Sequence, residues 1–248
     1  MAIANAGPMI TPVILTAFLA HGVTPKADVE VAPERDPQAD DASIDRGIVF
    51  PTAETIGKGN VSVNSYELLG LGVTYGVTDS LQVSATTLVP VNEDFLGYVG
   101  FSGKLKLFTA ARWTLAAVPS ILIAKDEGFI FSGSLLSDLL LDEAGDAILS
   151  AGLTTSVLFD SGSGNQGPAL TPHLGFAGRV SERVKLLAEL SRVSLDGVLD
   201  DSFWLLNYGV RFFGSTLAVD ISLLRPLEAM DSDALLLGLP YVAFSARW

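Results

Sequence analysis

The sequence predicts an all-β fold, a closed antiparallel transmembrane β-barrel of about twelve strands, and three observations carry that prediction. Apolar residues alternate with small or polar ones along most of the chain from residue 58 onward. The chain is 49% hydrophobic and only 17% charged, yet no apolar run reaches the roughly 18 to 20 residues that a spanning helix needs. The connections between alternating segments are short on one side and mostly longer on the other, the asymmetry of barrels that cross a membrane.

Taken in chain order, residues 1–22 read as an export signal. Met9 to Gly22 is apolar, too short to span, and ends in Ala20-His21-Gly22, a small-x-small cleavage pattern. The preceding residues lack the usual Lys or Arg. Residues 23–57 carry eight acids, three bases and four prolines without an apolar period, a composition that cannot bury enough surface to fold alone. They are expected to form a flexible periplasmic leader; a segment that enters and plugs the barrel would share this composition. The barrel is assigned to residues 58–248.

The plainest period of two runs from Leu69 to Val77, where every odd position is large and apolar and every even one is Gly or Thr. The same pattern places strands near 60–67, 69–77, 81–90, 97–108, 113–124, 129–140, 147–159, 169–180, 184–195, 203–212, 216–225 and 239–248. Several have the roughly 9 to 12 residues that a tilted strand needs to cross the apolar layer. Every second connection is short, as at Thr78-Asp79-Ser80, Ala110-Ala111-Arg112 and Ser181-Glu182-Arg183, and these are expected to be periplasmic turns. The alternate ones are expected to be extracellular loops, most of them longer or richer in acid and glycine. Pro119 and Pro172 fall inside strands, where a missing N–H breaks the ladder unless it lies at a bulge or rim. The segment 135–153 also permits an amphipathic helix, and a soluble exported β-sandwich that binds a ligand shares the alternation.

The last strand puts Pro240, Val242, Phe244, Ala246 and Trp248 on one face. It resembles the C-terminal signature of bacterial outer-membrane barrel proteins. The stretch from Lys58 to Leu81, with Tyr75-Gly-Val-Thr-Asp79, is similar to the opening of uncharacterised small outer-membrane barrels of porin-like type. The resemblance implies an outer-membrane location among lipid and lipopolysaccharide, and recognition by the barrel-assembly machinery with Trp248 as key residue and Phe244 in support. It names no activity.

With apolar residues outward, the opposite parity places Lys104, Lys106, Arg179, Lys185, Arg211 and Arg247 inside, against Asp138, Glu189 and Asp220, with Asn207 and His173 also inward. Six bases against three acids, out of 15 Lys and Arg in the chain, require a wet or ion-paired lumen. Two readings follow. One is a narrow passive channel whose basic wall favours small anions. The other is a non-conducting structural barrel, packed shut by pairs such as Lys185 or Arg211 with Glu189 or Asp220. Trp113, Phe129, Phe159, Trp204, Phe212 and Trp248 are expected outward near strand ends, as interfacial girdles. Loop acids such as Glu93, Asp94, Asp196, Asp200, Asp201, Asp231 and Asp233 are expected to form a solvated rim that could bind divalent cations bridging lipopolysaccharide.

Enzyme chemistry has little support in the sequence. Past the leader, His173 is the one histidine, with no adjacent nucleophile motif. The Gly-rich run from Asp160 to Gly167 lacks the Lys-Ser/Thr and helix of a phosphate loop. The absence of cysteine excludes thiolate metal sites and disulfides, and no cofactor is expected. A net charge of −13 argues against nucleic acid as partner.

Overall fold

A computed structural model describes residues 41–67, 70–88, 97–125, 128–160, 164–165, 168–193, 202–227 and 238–248. The signal assigned to residues 1–22, leader residues 23–40, and the loop acids named above lie outside these.

The strands are β1 (Val61–Tyr66), β2 (Gly70–Gly76), β3 (Leu81–Leu88), β4 (Tyr98–Ala110), β5 (Trp113–Ala124), β6 (Gly128–Leu140), β7 (Ala147–Asp160), β8 (Gly164–Asn165), β9 (Ala169–Ser181), β10 (Val184–Val193), β11 (Phe203–Phe213), β12 (Leu217–Pro226) and β13 (Leu239–Arg247). Two-residue β8 only folds back onto the end of β7 within the Gly-rich connection. The other twelve pair antiparallel with their chain neighbours, and β1 pairs with β13, so the sheet closes into a twelve-stranded barrel without a free edge. The helix alternative for 135–153 does not form: Leu135 to Leu140 pair residue by residue with β7.

The strands form because the alternation satisfies both sides of the wall at once. Leu71, Val73 and Tyr75 of β2 face outward, while Gly72, Thr74 and Gly76 face the lumen. The register shifts at a bulge in β4 between Lys106 and Phe108, which leaves both Leu107 and Phe108 outward, and again where β9 meets β10, between Val184 and Lys185. Pro119 is accommodated by a gap: the β4–β5 ladder skips from Ser102↔Ser120 to Leu105↔Ala117. Pro172 pairs with Leu153 of β7, beyond the last β9–β10 pair, His173↔Ser191.

One end of the barrel carries connections of two to six residues, together with Trp248, whose backbone exchanges hydrogen bonds with Val61 (2.9 and 2.8 Å). Aromatics mark both ends. Trp113, Phe212 and Trp248 are exposed at the short-turn end. Phe129 and Phe159 stack at the other, with ring centroids 4.6 Å apart, and Trp204 belongs to the same end.

Candidate functional site

The lumen is occupied. Residues 41–57 enter beside the β11–β12 turn, where Ala42 N–H donates to the Gly214 carbonyl (2.9 Å), and rise to a tip at 47–50. The chain reverses there through an Arg46↔Pro51 bridge and a Gly47 N–H to Phe50 carbonyl bond of 2.8 Å. It then descends to the opposite wall and leaves into β1. The expectation of a flexible leader is therefore corrected for 41–57. The stretch cannot fold alone, and it is folded here because the barrel wall supplies its core and its hydrogen-bond partners.

A buried loop has no ladder to satisfy its backbone, and unpaired N–H and C=O groups in such a place are costly. Inward charges perform that task. Glu189 accepts from Ile48 N–H (2.6 Å) and Val49 N–H (2.9 Å), and is steadied by Asn207 Nδ2 at 3.3 Å. Asp138 accepts from Ala53 N–H (2.8 Å), and the Gln82 amide oxygen from Ile56 N–H (2.9 Å). Lys104 donates to the carbonyls of Asp45 (2.6 Å) and Glu54 (2.7 Å). Arg211 donates to the carbonyls of Ser43 (2.8 Å), Arg46 (3.1 Å) and Gly47 (2.7 Å).

Side-chain charge is matched as well. Arg211 grips Asp220 through Nε and Nη2 (2.7 and 2.9 Å), and Arg46 of the plug reaches the same carboxylate at 2.8 Å. Lys185 pairs with Asp41 (2.5 Å), and Lys106 with Glu54 (3.2 Å). Burial works to raise the Asp41 pKa, but the adjacent Arg211 and Lys185 cations outweigh it and hold the carboxyl down at about 2. Three small apolar contacts seat the plug: Ile48 on Leu187, Tyr241 and Ala243; Ala53 on Ala116, Val118 and Leu136; Ala42 on Phe213 and Ala218. Phe50 stacks on His173, with centroids 4.5 Å apart.

All the inward residues assigned from sequence lie on the inner wall. Lys104, Asp138, His173, Glu189, Asn207, Arg211, Asp220 and Arg247 are buried, and Lys106, Arg179 and Lys185 nearly so. Apart from Arg179 and Arg247, which belong to the short-turn rim with Asp146 and the Ser215 carbonyl, they meet the plug or one another. An open basic ring is thus not what they form in this state. The packed-shut alternative is realised for Arg211 and Asp220, whereas Lys185 finds its acid on the plug. His173 has Ser191 opposite it in register, but neither imidazole nitrogen nor the hydroxyl makes a hydrogen bond among the described residues, so no nucleophile–base pair is formed.

The residues missed at the sequence level are those of the plug, Asp41, Arg46 and Glu54, and Gln82 on the wall. A signal was present in two glycines. A Cβ at Gly76 would lie 1.7 Å from the Gly57 carbonyl oxygen, and one at Gly47 2.0 Å from Glu189 Oε1. At Gly76 the plug backbone, and at Gly47 the Glu189 carboxylate, stands where a side chain would.

Together these features define a closed transmembrane β-barrel with an internal plug. Among solved structures, the KdgM porin superposes with a TM-score of 0.50 at 7% identity, covering 76% of this chain and 96% of that one. The NanC porin gives 0.46 at 8% identity over 76% and 97%, and OmpT of Vibrio cholerae 0.36 at 11% over 76% and 94%. No family model matches the chain, and no curated protein matches it in sequence. The fold is that of outer-membrane porin-like barrels.

Proposed function

We propose that the chain is a narrow outer-membrane channel for small solutes, closed in its resting state by its own residues 41–57 and selective for anions once they withdraw. The observation that carries this reading is charge complementarity. The wall offers three more inward bases than acids, and the plug brings three acids and one base. Withdrawal of the plug uncovers Lys104, Lys106, Lys185 and Arg211 together, a basic lining of the kind that favours anions. The ties are polar and water can replace them, unlike the apolar seal of a core. Assembly into the membrane through Phe244 and Trp248 belongs to the same proposal; both side chains are exposed, Phe244 on the closing strand and Trp248 immediately after it.

Planar-bilayer recording under a salt gradient tests it. The full chain is expected to stay mostly closed, and a variant lacking residues 41–57 to conduct steadily with an anion-selective reversal potential. A deletion variant that shifts on unboiled gels, and so is a closed barrel, yet stays silent or prefers cations would overturn the reading. One observation favours a second reading, a non-conducting structural barrel: wall groups bind the plug backbone at Ser43, Asp45 to Val49, Ala53, Glu54 and Ile56, as a permanent core would be held.

A further inference from the structure

On the long-loop side of the plug the lumen changes character. A cavity of about 360 Å³ lies there, with the plug tip, Val49 and Phe50, among its lining. Its wall is a belt of hydroxyls: Ser84, Ser102, Ser120, Ser132, Ser134 and Thr154. All six are half-buried; Ser84, Ser132, Ser134 and Thr154 bond to a neighbouring hydroxyl, and a hydroxyl so paired keeps lone pairs for a further donor. Charges occur at its floor, and each has a partner, although one oxygen of Asp45 is buried without a hydrogen bond among the described residues. Arg46 is on Asp220, Asp45 accepts from Gln82 Nε2 (3.0 Å), and Lys104 is on two plug carbonyls.

We infer that this vestibule is a binding site for an uncharged polyhydroxylated solute, of the size and chemistry of a mono- or disaccharide. The inference rests on the channel reading above and names the class of solute that enters from the long-loop side. A hydroxyl both donates and accepts. A belt of them therefore matches the alternating donors and acceptors of a polyol in many orientations, without the fixed charge that an anion or cation needs for compensation. Tyr66, also in the lining, and Phe50 and Val49 add aromatic and apolar surface against which the C–H faces of a sugar ring pack. The volume falls in the range of small-molecule sites. Of the basic groups, Arg46 and Lys104 reach the cavity but are held by Asp220 and by two plug carbonyls, and Lys106, Lys185 and Arg211 are not in its lining, so selection in the closed barrel differs from selection in the opened one.

Saturation-transfer NMR on the full-length, plugged protein in nanodiscs, with sucrose, methyl glucoside and gluconate as probes, tests this without requiring conduction. Saturable transfer to sucrose or methyl glucoside is expected, with gluconate clearly weaker. Ser102→Ala with Ser120→Ala should weaken binding about tenfold through two lost hydrogen bonds. Thr86→Val, which preserves shape beside the same belt, is the second variant should the first fail to fold. Absence of saturable transfer, equal binding of gluconate, or binding unchanged in the folded variants would overturn the inference. Because the plug deletion is judged by conductance and this site by binding to the closed protein, failure of either leaves the other readable.

Discussion

The two halves of the lumen are built from the same strands but solve different problems. Toward the short turns, Glu189, Asp138, Gln82, Lys104 and Arg211 act as a mould for a segment that has no secondary structure of its own. Toward the long loops the wall mostly bonds to itself across neighbouring strands: Ser132 with Ser156 (2.7 Å), Ser134 with Thr154 (2.8 Å) and Thr74 with Ser84 (2.9 Å). The lesson is that an inward charge in a barrel need not mean a charged pore. A carboxylate that collects two backbone N–H groups replaces the ladder which the plug lacks. Hydroxyls, satisfied either by a neighbour or by water, leave their half free for a solute.

The sharpest break in this comparison is at Arg211, which ties Asp220, Asp41 and three plug carbonyls together. Arg211→Met leaves Asp220 to Arg46 alone and Asp41 to Lys185 alone, and takes the donor from three plug carbonyls, a loss on the order of 3–5 kcal/mol. The variant should conduct almost as freely as the deletion, and should also migrate with a lowered heat-modification temperature. Wild-type closure in this variant would mean that the mould is not what holds the plug. Ser134→Ala in the vestibule half is the matched control, expected to leave conductance at the closed level.

Glu189→Gln comes next. Its side-chain oxygen still accepts one plug N–H, but the amide nitrogen faces the other as a second donor. The change is expected to remove about 1.5–3 kcal/mol of charge-assisted bonding, raising the open fraction by at least about tenfold in single-channel records. If the variant equals wild type, the Ile48 and Val49 N–H groups are satisfied in some other way and the carboxylate is only a filler.

Acid provides a reversible version of the same test. Asp41 has its pKa lowered when docked, so its contribution to closure is complete above its ordinary value of 3.8 and is lost as the pH falls through about 2. That contribution is on the order of 2 kcal/mol. Openings should increase between pH 4 and pH 2, and Asp41→Asn should open more at neutral pH while responding less to acid. A pH response undiminished in Asp41→Asn would assign it to another carboxyl.

Much of this wall was legible in the sequence. All twelve barrel strands fall within about two residues of their periodic segments, because lipid on one side and water or plug on the other enforce a strict period of two. The inward set was legible for the same reason: once parity is fixed, Lys104, Glu189, Arg211 and Asp220 have only one place to point. What those residues meet was not legible. Residues 41–57 have no period, since their partners are distributed over strands from β3 to β13 rather than along one face, and Asp138 and Glu189 recognise backbone N–H groups, which every residue but proline carries. Glu54 and Lys106 make a pair 52 residues apart in sequence, and no local pattern announces it.

The smallest expected effect lies where the two halves meet. Phe50 stands at the plug tip, stacked on His173 with its ring 12° from parallel, and it also lines the vestibule. A stacked pair of this kind contributes about 0.5–1.5 kcal/mol beyond its buried area. Phe50→Ala removes that stacking contribution, at most about tenfold in open fraction, together with the burial of a half-buried ring, and should open the barrel less than Glu189→Gln because the Ile48 and Val49 N–H bonds stay in place. The order of the two effects decides what the plug is. If Phe50→Ala opens the barrel as widely as Glu189→Gln, an apolar tip contact holds the segment and the polar mould merely accompanies it. If Phe50→Ala leaves closure intact yet weakens sucrose transfer, the ring belongs functionally to the vestibule, and the boundary between the two regions runs below it.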